Sequence, residues 1–378
     1  MQINEIVVND TNSFESRVLQ GLVQRRAQLM LEFNLVTDTQ HAALIELLAQ
    51  FDADFVDQET SVQATIPFAA WATFADRCAA KFVNDPECVR SLTAITRKYE
   101  VHWQTTRFDF NISQKPIIYG ILNITPDSFY DGGRFQDPAA IADQIERMIA
   151  AGVTVIEVGG QTTRPGGFVE VTPVEELRRI SSTVTLIQQH YPQVAVAVDT
   201  YKLPVMQEMV RAGVDIINDV NAFTDVPDKL ALFANSKTGL LTMHSSRDTE
   251  YDNLTREMKR FFETNLSALT AAGIDRERIA LDQGIGYSKV ADGYQDYAMM
   301  RNIDQFNYLG RPMMVAISRK GFGAKLFGLK KDDRLPVTLI AEAYMYLHGG
   351  RILRVHDVEE TVQLTKMLDT INAGYWQR

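Results

Sequence analysis

From residue 114 onward, short apolar runs alternate with stretches whose apolar residues recur every three or four positions. The runs are 116–123, 154–160, 194–200, 214–220, 239–245, 278–282, 312–319 and 351–357. Such runs predict strands buried on both faces, as in a parallel sheet covered by helices. The stretches between them predict the helices. Asp137-Pro138 leads into Ile141, Ile145, Met148 and Ile149 and closes at Gly152: an acidic cap, a proline in the first turn, one apolar face and a terminal glycine. Leu254, Met258, Phe261, Phe262, Leu266 and Leu269 form a second stripe that ends at Gly273. Strand and helix alternating in this way over residues 111–378 predict an α/β fold, a (β/α)8 TIM barrel, which takes about 250 residues. An open doubly wound sheet is the alternative arrangement.

Residues 1–110 follow a different pattern. Leu31, Phe33 and Leu35 alternate with polar positions, as do Val62, Ala64, Ile66 and Phe68, then Val101 with Trp103, and Phe108 with Phe110. Two helical stripes lie between them, Leu44, Leu47, Leu48, Phe51 and Trp71, Phe74, Cys78, Phe82. The expectation is a small α+β N-terminal module of split-βαβ type, residues 1–110, ahead of a catalytic barrel at 111–378. The module holds no catalytic constellation and reads as a packing or dimerisation appendage.

Composition narrows the function. Acidic side chains outnumber basic ones 48 to 38, a formal charge of −10, which argues against a dedicated nucleic-acid binder. Cys78 and Cys88 make neither a metal-ligand pair nor a disulfide framework. The first residues lack the basic start and apolar run of a signal peptide, and no stretch of 18 apolar residues occurs. A cytoplasmic protein without a membrane partner is expected.

In a βα barrel the working groups stand where strands run into the following loops. The apolar runs end in Asn123, Asp199, Asn218-Asp219, His244, Asp282, Ser318-Arg319-Lys320 and Arg354-Val355-His356-Asp357. One polar residue at a strand end is commonly a helix cap, but seven such endings on one face predict a site. Two loops exceed the usual two to six residues: Ile124 to Gln136, and Gln161 to Thr172.

Gly120-Ile-Leu-Asn-Ile-Thr-Pro-Asp-Ser-Phe-Tyr-Asp-Gly-Gly133 resembles the first signature of dihydropteroate synthases, and Glu157-Val-Gly-Gly-Gln-Thr-Thr-Arg-Pro-Gly166 resembles the second. Val198-Asp199-Thr200-Tyr201-Lys202, Ile217-Asn218-Asp219-Val220, Leu281-Asp282-Gln283-Gly284-Ile285-Gly286, Ser318-Arg319-Lys320 and Arg354-Val355-His356-Asp357 follow in the family's order. The match spans roughly 116–360. It implies an enzyme that joins a dihydropterin carrying a hydroxymethyl pyrophosphate to 4-aminobenzoate, with Mg²⁺ as cofactor, and it suggests a homodimer.

The residues suit that chemistry. A pterin edge needs fixed donors and acceptors in an apolar slot, and Asp199, Asn218, Asp282 and Lys320 can provide them. Pyrophosphate needs cations and donors; Arg354 and His356, two apart on a strand, face one side, and Asn123 can offer a carbonyl oxygen to Mg²⁺. The resemblance implies that Thr163, Arg164 and Pro165 contribute to the 4-aminobenzoate pocket and that Phe129 and Asp131 help close it. Lys320, Arg354, His356 and Asp131 form the catalytic set it implies. His244 reads equally as a pocket wall or a core residue.

Several positions depart from the family's pattern: Gln161 where Glu is common, Gln283 where Pro often follows the Asp, Tyr287 for Phe, Ser245-Ser246 after His244, and Gly321 where a larger residue is frequent. Gln161 and Gly321 lie nearest the 4-aminobenzoate pocket, so they bear on affinity for that substrate. Two other functions compete: a methyltetrahydrofolate-dependent methyltransferase on a similar barrel, and a non-catalytic pterin-binding regulator. Neither needs the pyrophosphate groups Asn123, Arg354 and His356.

Overall fold

The computed structural model describes residues 1–7, 13–51, 53–58, 60–124, 138–161, 170–245, 251–287 and 293–375. Its two compact units are Met1–Glu100 with Lys366–Arg378, and Val101–Thr365. The division therefore falls at residue 100 rather than at the expected 110.

In the first unit an antiparallel sheet runs in the order β1 (Gln2–Glu5), β2 (Gln28–Asn34), β4 (Ser61–Pro67), β3 (Phe55–Asp57). Helices α1 (Phe14–Gln24), α2 (Asp38–Gln50), α3 (Trp71–Lys81) and α4 (Pro86–Tyr99) complete it. The two expected strand patterns at 31–35 and 62–68 fall on β2 and β4, and both helical stripes bury their apolar faces. Phe33, Leu44, Leu48, Val62, Ile66 and Phe74 form this core.

The other two alternating segments do not extend that sheet. His102–Gln104 (β5) pairs with Asp109–Asn111 (β6) as a separate hairpin, and Val101, Trp103 and Ile112 pack among the inward residues of the barrel. Trp103 explains why. It is fully buried among Ile117, Val155, Ala195, Ile216, Ala280 and Ile352, near the strands' starts, and its indole N–H donates to the Arg278 carbonyl at 3.0 Å. Small alanines at 195, 197 and 280 leave room for the ring. Arg107 ties the hairpin down, with bonds of 3.0 and 2.6 Å to the buried Asp215 carboxylate and 3.0 Å to the Val194 carbonyl.

The barrel has the eight strands the apolar runs predict, all parallel and closed: β7 (Ile117–Asn123), β8 (Val155–Gly159), β9 (Ala195–Asp199), β10 (Ile216–Asp219), β11 (Gly239–Met243), β12 (Ile279–Asp282), β13 (Met313–Val315) and β14 (Gly350–Val355), with β14 pairing back to β7. Around it run α5 (Pro138–Ala151), α6 (Pro173–His190), α7 (Leu203–Arg211), α8 (Pro227–Ala234), α9 (Leu254–Ala271), α10 (Tyr294–Arg301), α11 (Phe322–Phe327) and α12 (Leu335–Leu347), followed by α13 (Val358–Asn372), which belongs to this unit as far as Thr365. Prolines open α5 and α6 and stand within the first turns of α7, α8 and α12, where a missing N–H costs nothing. Thr172 caps α6 and Asn253 caps α9 through their side-chain oxygens. Among the described residues, no helix is long and apolar enough to cross a membrane.

Candidate active site

Strand register places the site. Gly159 pairs with Asp199, Asp199 with Asn218, and Arg354 with Tyr119, so alternate residues bring the Glu157, Asp199, Asn218 and Arg354 side chains together in the barrel interior. Glu157 lies at their centre. Its carboxylate accepts the Arg354 Nε–H at 2.9 Å, a second hydrogen bond from Arg354 Nη2, and the Asn218 amide at 3.0 Å. Arg354 Nη2 also reaches Asp199 at 3.4 Å. Glu157 is 1% exposed, so its ion pair with Arg354 is held out of water.

The electrostatics follow from burial. Asp199 is pushed up to about 8 by burial and then by the nearby Glu157 charge, and its Oδ1 is buried with no hydrogen-bond partner among the described residues. Burial also raises Asp282, with Lys320 pulling the other way; Asp282 Oδ1 accepts the Gly284 N–H at 2.9 Å. Lys320 is lowered to about 8 by burial against the attraction of Asp282. Its ammonium donates to the Ile285 carbonyl and lies 5.4 Å over the Tyr287 ring. The stem crosses Gly286, where a Cβ would come within 2.9 Å of Lys320 Cδ and the backbone has φ +92°. Only glycine meets both conditions. Burial works against the Arg354 cation, but Glu157 and Asp199 outweigh it and raise its pKa.

The ends of β13 and β14 are laced together. His356 donates its backbone N–H to Ser318 Oγ at 3.2 Å, and Ser318 Oγ lies 3.0 Å from His356 Nδ1. The Ser318 hydroxyl thus meets His356 at both its backbone N–H and its ring, which holds the imidazole in one orientation. Burial and the Arg354 charge depress His356 to about 3, so the ring is neutral. Arg319 grips Asp357 with two bonds of 2.8 and 2.7 Å while its own backbone sits at φ +52°. That uncommon conformation is held by Thr338 Oγ1 on the Arg319 N–H and by Arg334 on its carbonyl.

Of the residues expected from sequence, the structure brings Asp199, Asn218 and Arg354 together around Glu157, sets Lys320 beside Asp282, and puts His356 within reach of the Arg354 charge. Asn123 ends β7, with its Oδ1 2.9 Å from where a Cβ at Gly159 would stand, so the glycine makes room for the amide. Asp219 is not part of this cluster; it accepts from the buried Lys229 ammonium at 2.8 Å and from the Phe223 N–H at 3.0 Å. His244 packs edge-on against Phe261, and burial lowers it to about 4. It is a buried, neutral ring. A side chain at Gly321 would meet open space. Phe129, Asp131, Thr163, Arg164 and Pro165 lie outside the described residues. The sequence reading missed the roles of Glu157 and Ser318. Glu157 could have been found as a charged residue in the middle of an apolar run, in phase with inward-facing Val155.

The pterin-binding enzyme family matches residues 119–356. The chain is 33% identical over 264 residues to the dihydropteroate synthase of Clostridium beijerinckii, a span covering 70% of this chain and 97% of that one. Among solved structures, the dihydropteroate synthase of Yersinia pestis in complex with a sulfonamide drug matches with a TM-score of 0.67 at 30% identity, covering 72% of this chain and 100% of that one. The Burkholderia cenocepacia dihydropteroate synthase complexed with 7,8-dihydropteroate matches with a TM-score of 0.64 at 28% identity, over 72% and 97%.

Proposed function

The chain belongs to the pterin-binding enzymes and, among them, to the dihydropteroate synthases, and from that premise we propose how its residues divide the work. The reaction condenses 6-hydroxymethyl-7,8-dihydropterin pyrophosphate with 4-aminobenzoate, giving 7,8-dihydropteroate and pyrophosphate in folate biosynthesis. One observation carries the residue assignment: a buried Asp199 oxygen with no hydrogen-bond partner among the described residues, close to Asn218 and the paired Arg354 and Glu157. A buried acceptor left empty is costly unless a ligand fills it. A pterin edge, with its ring N–H and amino group, is such a ligand.

Asp282, Asn218 and Asp199 take the pterin edge, and Lys320 leaves the Ile285 carbonyl to donate to it. Near neutral pH Asp199 holds a proton, so it can donate as well as accept. Arg354 and His356 face the pyrophosphate, with the His356 ring oriented by Ser318. Mg²⁺ suits Asn123: one hard carbonyl oxygen cradled by Gly159, with phosphate oxygens and water left to complete the shell. When bound, the ion supplies charge for the departing pyrophosphate. The exocyclic C–O bond breaks first, its electron pair leaves with pyrophosphate, and the electron-rich dihydropterin stabilises the resulting cation. The neutral aniline nitrogen then attacks, and its proton passes to pyrophosphate or water. No strong general base is needed, so orientation and electrostatics carry the catalysis. Thr163, Arg164, Pro165, Phe129 and Asp131 are assigned to the 4-aminobenzoate side, with Asp131 also in the catalytic set, by their match to the family's signatures.

We assign the active form as a homodimer, supported by Ile340, Tyr344 and Leu347, which are exposed at i, i+4 and i+7 on α12. Sedimentation equilibrium checks this. A reducing cytoplasm fits Cys78 and Cys88, buried thiols 3.9 Å apart. The activity is tested by incubating pure protein with both substrates and Mg²⁺ and measuring pyrophosphate and 7,8-dihydropteroate together. Product in the absence of 4-aminobenzoate, or none with every component present, overturns the reading. EDTA should stop turnover yet leave the melting temperature of the free protein where it was, because Asn123 alone holds the ion too weakly to support the fold.

A further inference from the structure

Strand β8 runs on to Gln161, and α6 is approached through Glu170 and Val171. These two stretches of backbone converge on one ammonium. Lys202, just past β9 and 8% exposed, donates to Gln161 Oε1 at 2.6 Å, to the Val171 carbonyl at 2.6 Å and to Glu176 Oε2 at 2.7 Å. Three N–H bonds meet three acceptors. Gln161 is used at both ends of its amide: Oε1 also accepts the Val171 N–H at 2.9 Å, and Nε2 donates to the Tyr201 hydroxyl at 3.1 Å. Tyr201 then gives its single proton to Glu170 at 2.8 Å.

The donor directions are forced. An oxygen facing an ammonium and an N–H must be the carbonyl of the amide, so the NH₂ faces the phenol, and the phenol must donate onward. Glu176 alone would neutralise a buried lysine; every additional bond goes to residue 161 or to residues 170–171. A buried ammonium tolerates little rearrangement, because losing any acceptor leaves it unsatisfied out of water. The arrangement also gives Gln161 a purpose where Glu is common. A carboxylate there would have no hydrogen for Tyr201, whose proton would turn to it and release Glu170.

We propose that Lys202 is a positioning residue that, through Gln161 and the Val171 carbonyl, fixes both ends of the 162–169 segment and thereby sets the affinity for the aromatic amine without touching either substrate. This rests on reading Thr163, Arg164 and Pro165 as contributors to the 4-aminobenzoate side.

The test is steady-state kinetics on the full chain, with KM measured separately for the two substrates, alongside hydrogen exchange of peptides spanning 160–172. Lys202→Met alone strands Glu176, so it is made together with Glu176→Gln. Tyr201→Phe and Gln161→Glu disturb the network without removing the ammonium. Both milder variants raise KM for 4-aminobenzoate about three- to tenfold and the double variant by more than about tenfold, with the pterin KM and kcat held within about twofold. Exchange quickens at 160–172 and stays unchanged at 116–123. Equal rises in both KM values, or unchanged exchange in a folded double variant, overturn the proposal. Arg164→Ala separates the two layers. If it raises KM for 4-aminobenzoate and the Lys202 and Tyr201 variants do not, the anchoring role fails alone; if none of them does, the pocket reading fails and the anchoring role with it.

Discussion

Arg354 serves two neighbours at once, and this governs how its role must be tested. It is paired with Glu157, and Glu157 is out of water. Deleting the guanidinium alone leaves a buried unpaired carboxylate and costs about 3–5 kcal/mol of stability, which would mask any effect on chemistry. Arg354→Ala combined with Glu157→Gln avoids this. That double variant should lose about 100- to 1,000-fold in kcat, because a donor to the developing charge is gone. It should still bind a pterin lacking pyrophosphate with near-normal affinity by calorimetry. Asp282→Asn should weaken that same ligand by roughly 1–3 kcal/mol, since it sets a donor against the pterin's donors. If both variants lose the ligand equally, the division of the site fails. Glu342 gives a second residue-scale prediction. It is buried on α12, accepts from Thr361 at 3.2 Å, and burial raises it to about 8. The unfolded chain releases that proton above about pH 4.3 while the folded protein keeps it, so this group's contribution falls as pH climbs to about 8. Glu342→Gln keeps the Thr361 bond and removes the slope. Urea titrations should show the variant gaining on the parent between pH 5 and 8, by about 1.4 kcal/mol for each unit of pKa shift crossed. An identical difference at both pH values would mean Glu342 is ionised in the fold.

The hairpin of β5 and β6 shows what an element owes to its partners. Its alternation of Val101 and Trp103 with polar residues reports one buried face, and the sequence reading correctly took it for strand. Alternation does not say which surface covers that face. Here it is the barrel's interior rather than the N-terminal sheet. The eight barrel strands were legible because strands buried on both sides appear as unbroken apolar runs, and because helix caps and prolines mark the intervals. β1 was not, since four residues give too little pattern. α4 could have been read: Asp85 caps it and Pro86 opens it. The site was legible where polar groups end a run, as at Asp199, Asn218 and Asp282. It was hidden where a charge stands within one, as at Glu157, and where function depends on a partner far along the chain, as Ser318 does on His356. Trp103→Ala tests the hairpin's part. Removing a fully buried indole beneath the barrel should cost about 3–5 kcal/mol. The chevron's unfolding limb and the melting temperature measure that loss. At temperatures where the variant stays folded, its affinity for pyrophosphate-free pterin should match the parent's, because the site residues lie at the other end of the strands.

Every proposed site residue lies between 123 and 356, inside the unit that begins at Val101. The first unit keeps its own core, with the Tyr375 ring, from the chain's last described residues, tilted against Phe51 at 4.5 Å between centroids. Two truncations that differ by twelve residues should therefore behave very differently. Starting the chain at Val101 keeps Trp103 among the inward residues and keeps Arg107 on Asp215. Starting it at Ser113 removes both. Asp215 is fully buried, and among the described residues the Val196 N–H, at 2.9 Å, is the donor left to its carboxylate without Arg107. Losing that partner costs about 3–5 kcal/mol, and the lost indole adds a comparable amount. Since total stability is about 5–15 kcal/mol for a domain, the shorter chain should be largely unfolded at 25 °C by circular dichroism. The longer one should fold and retain pterin affinity and kcat within about tenfold. A folded, active protein from Ser113 would show that the hairpin is dispensable to the barrel. A folded chain from Val101 that binds both substrates yet turns over nothing would give the N-terminal unit a direct part in catalysis.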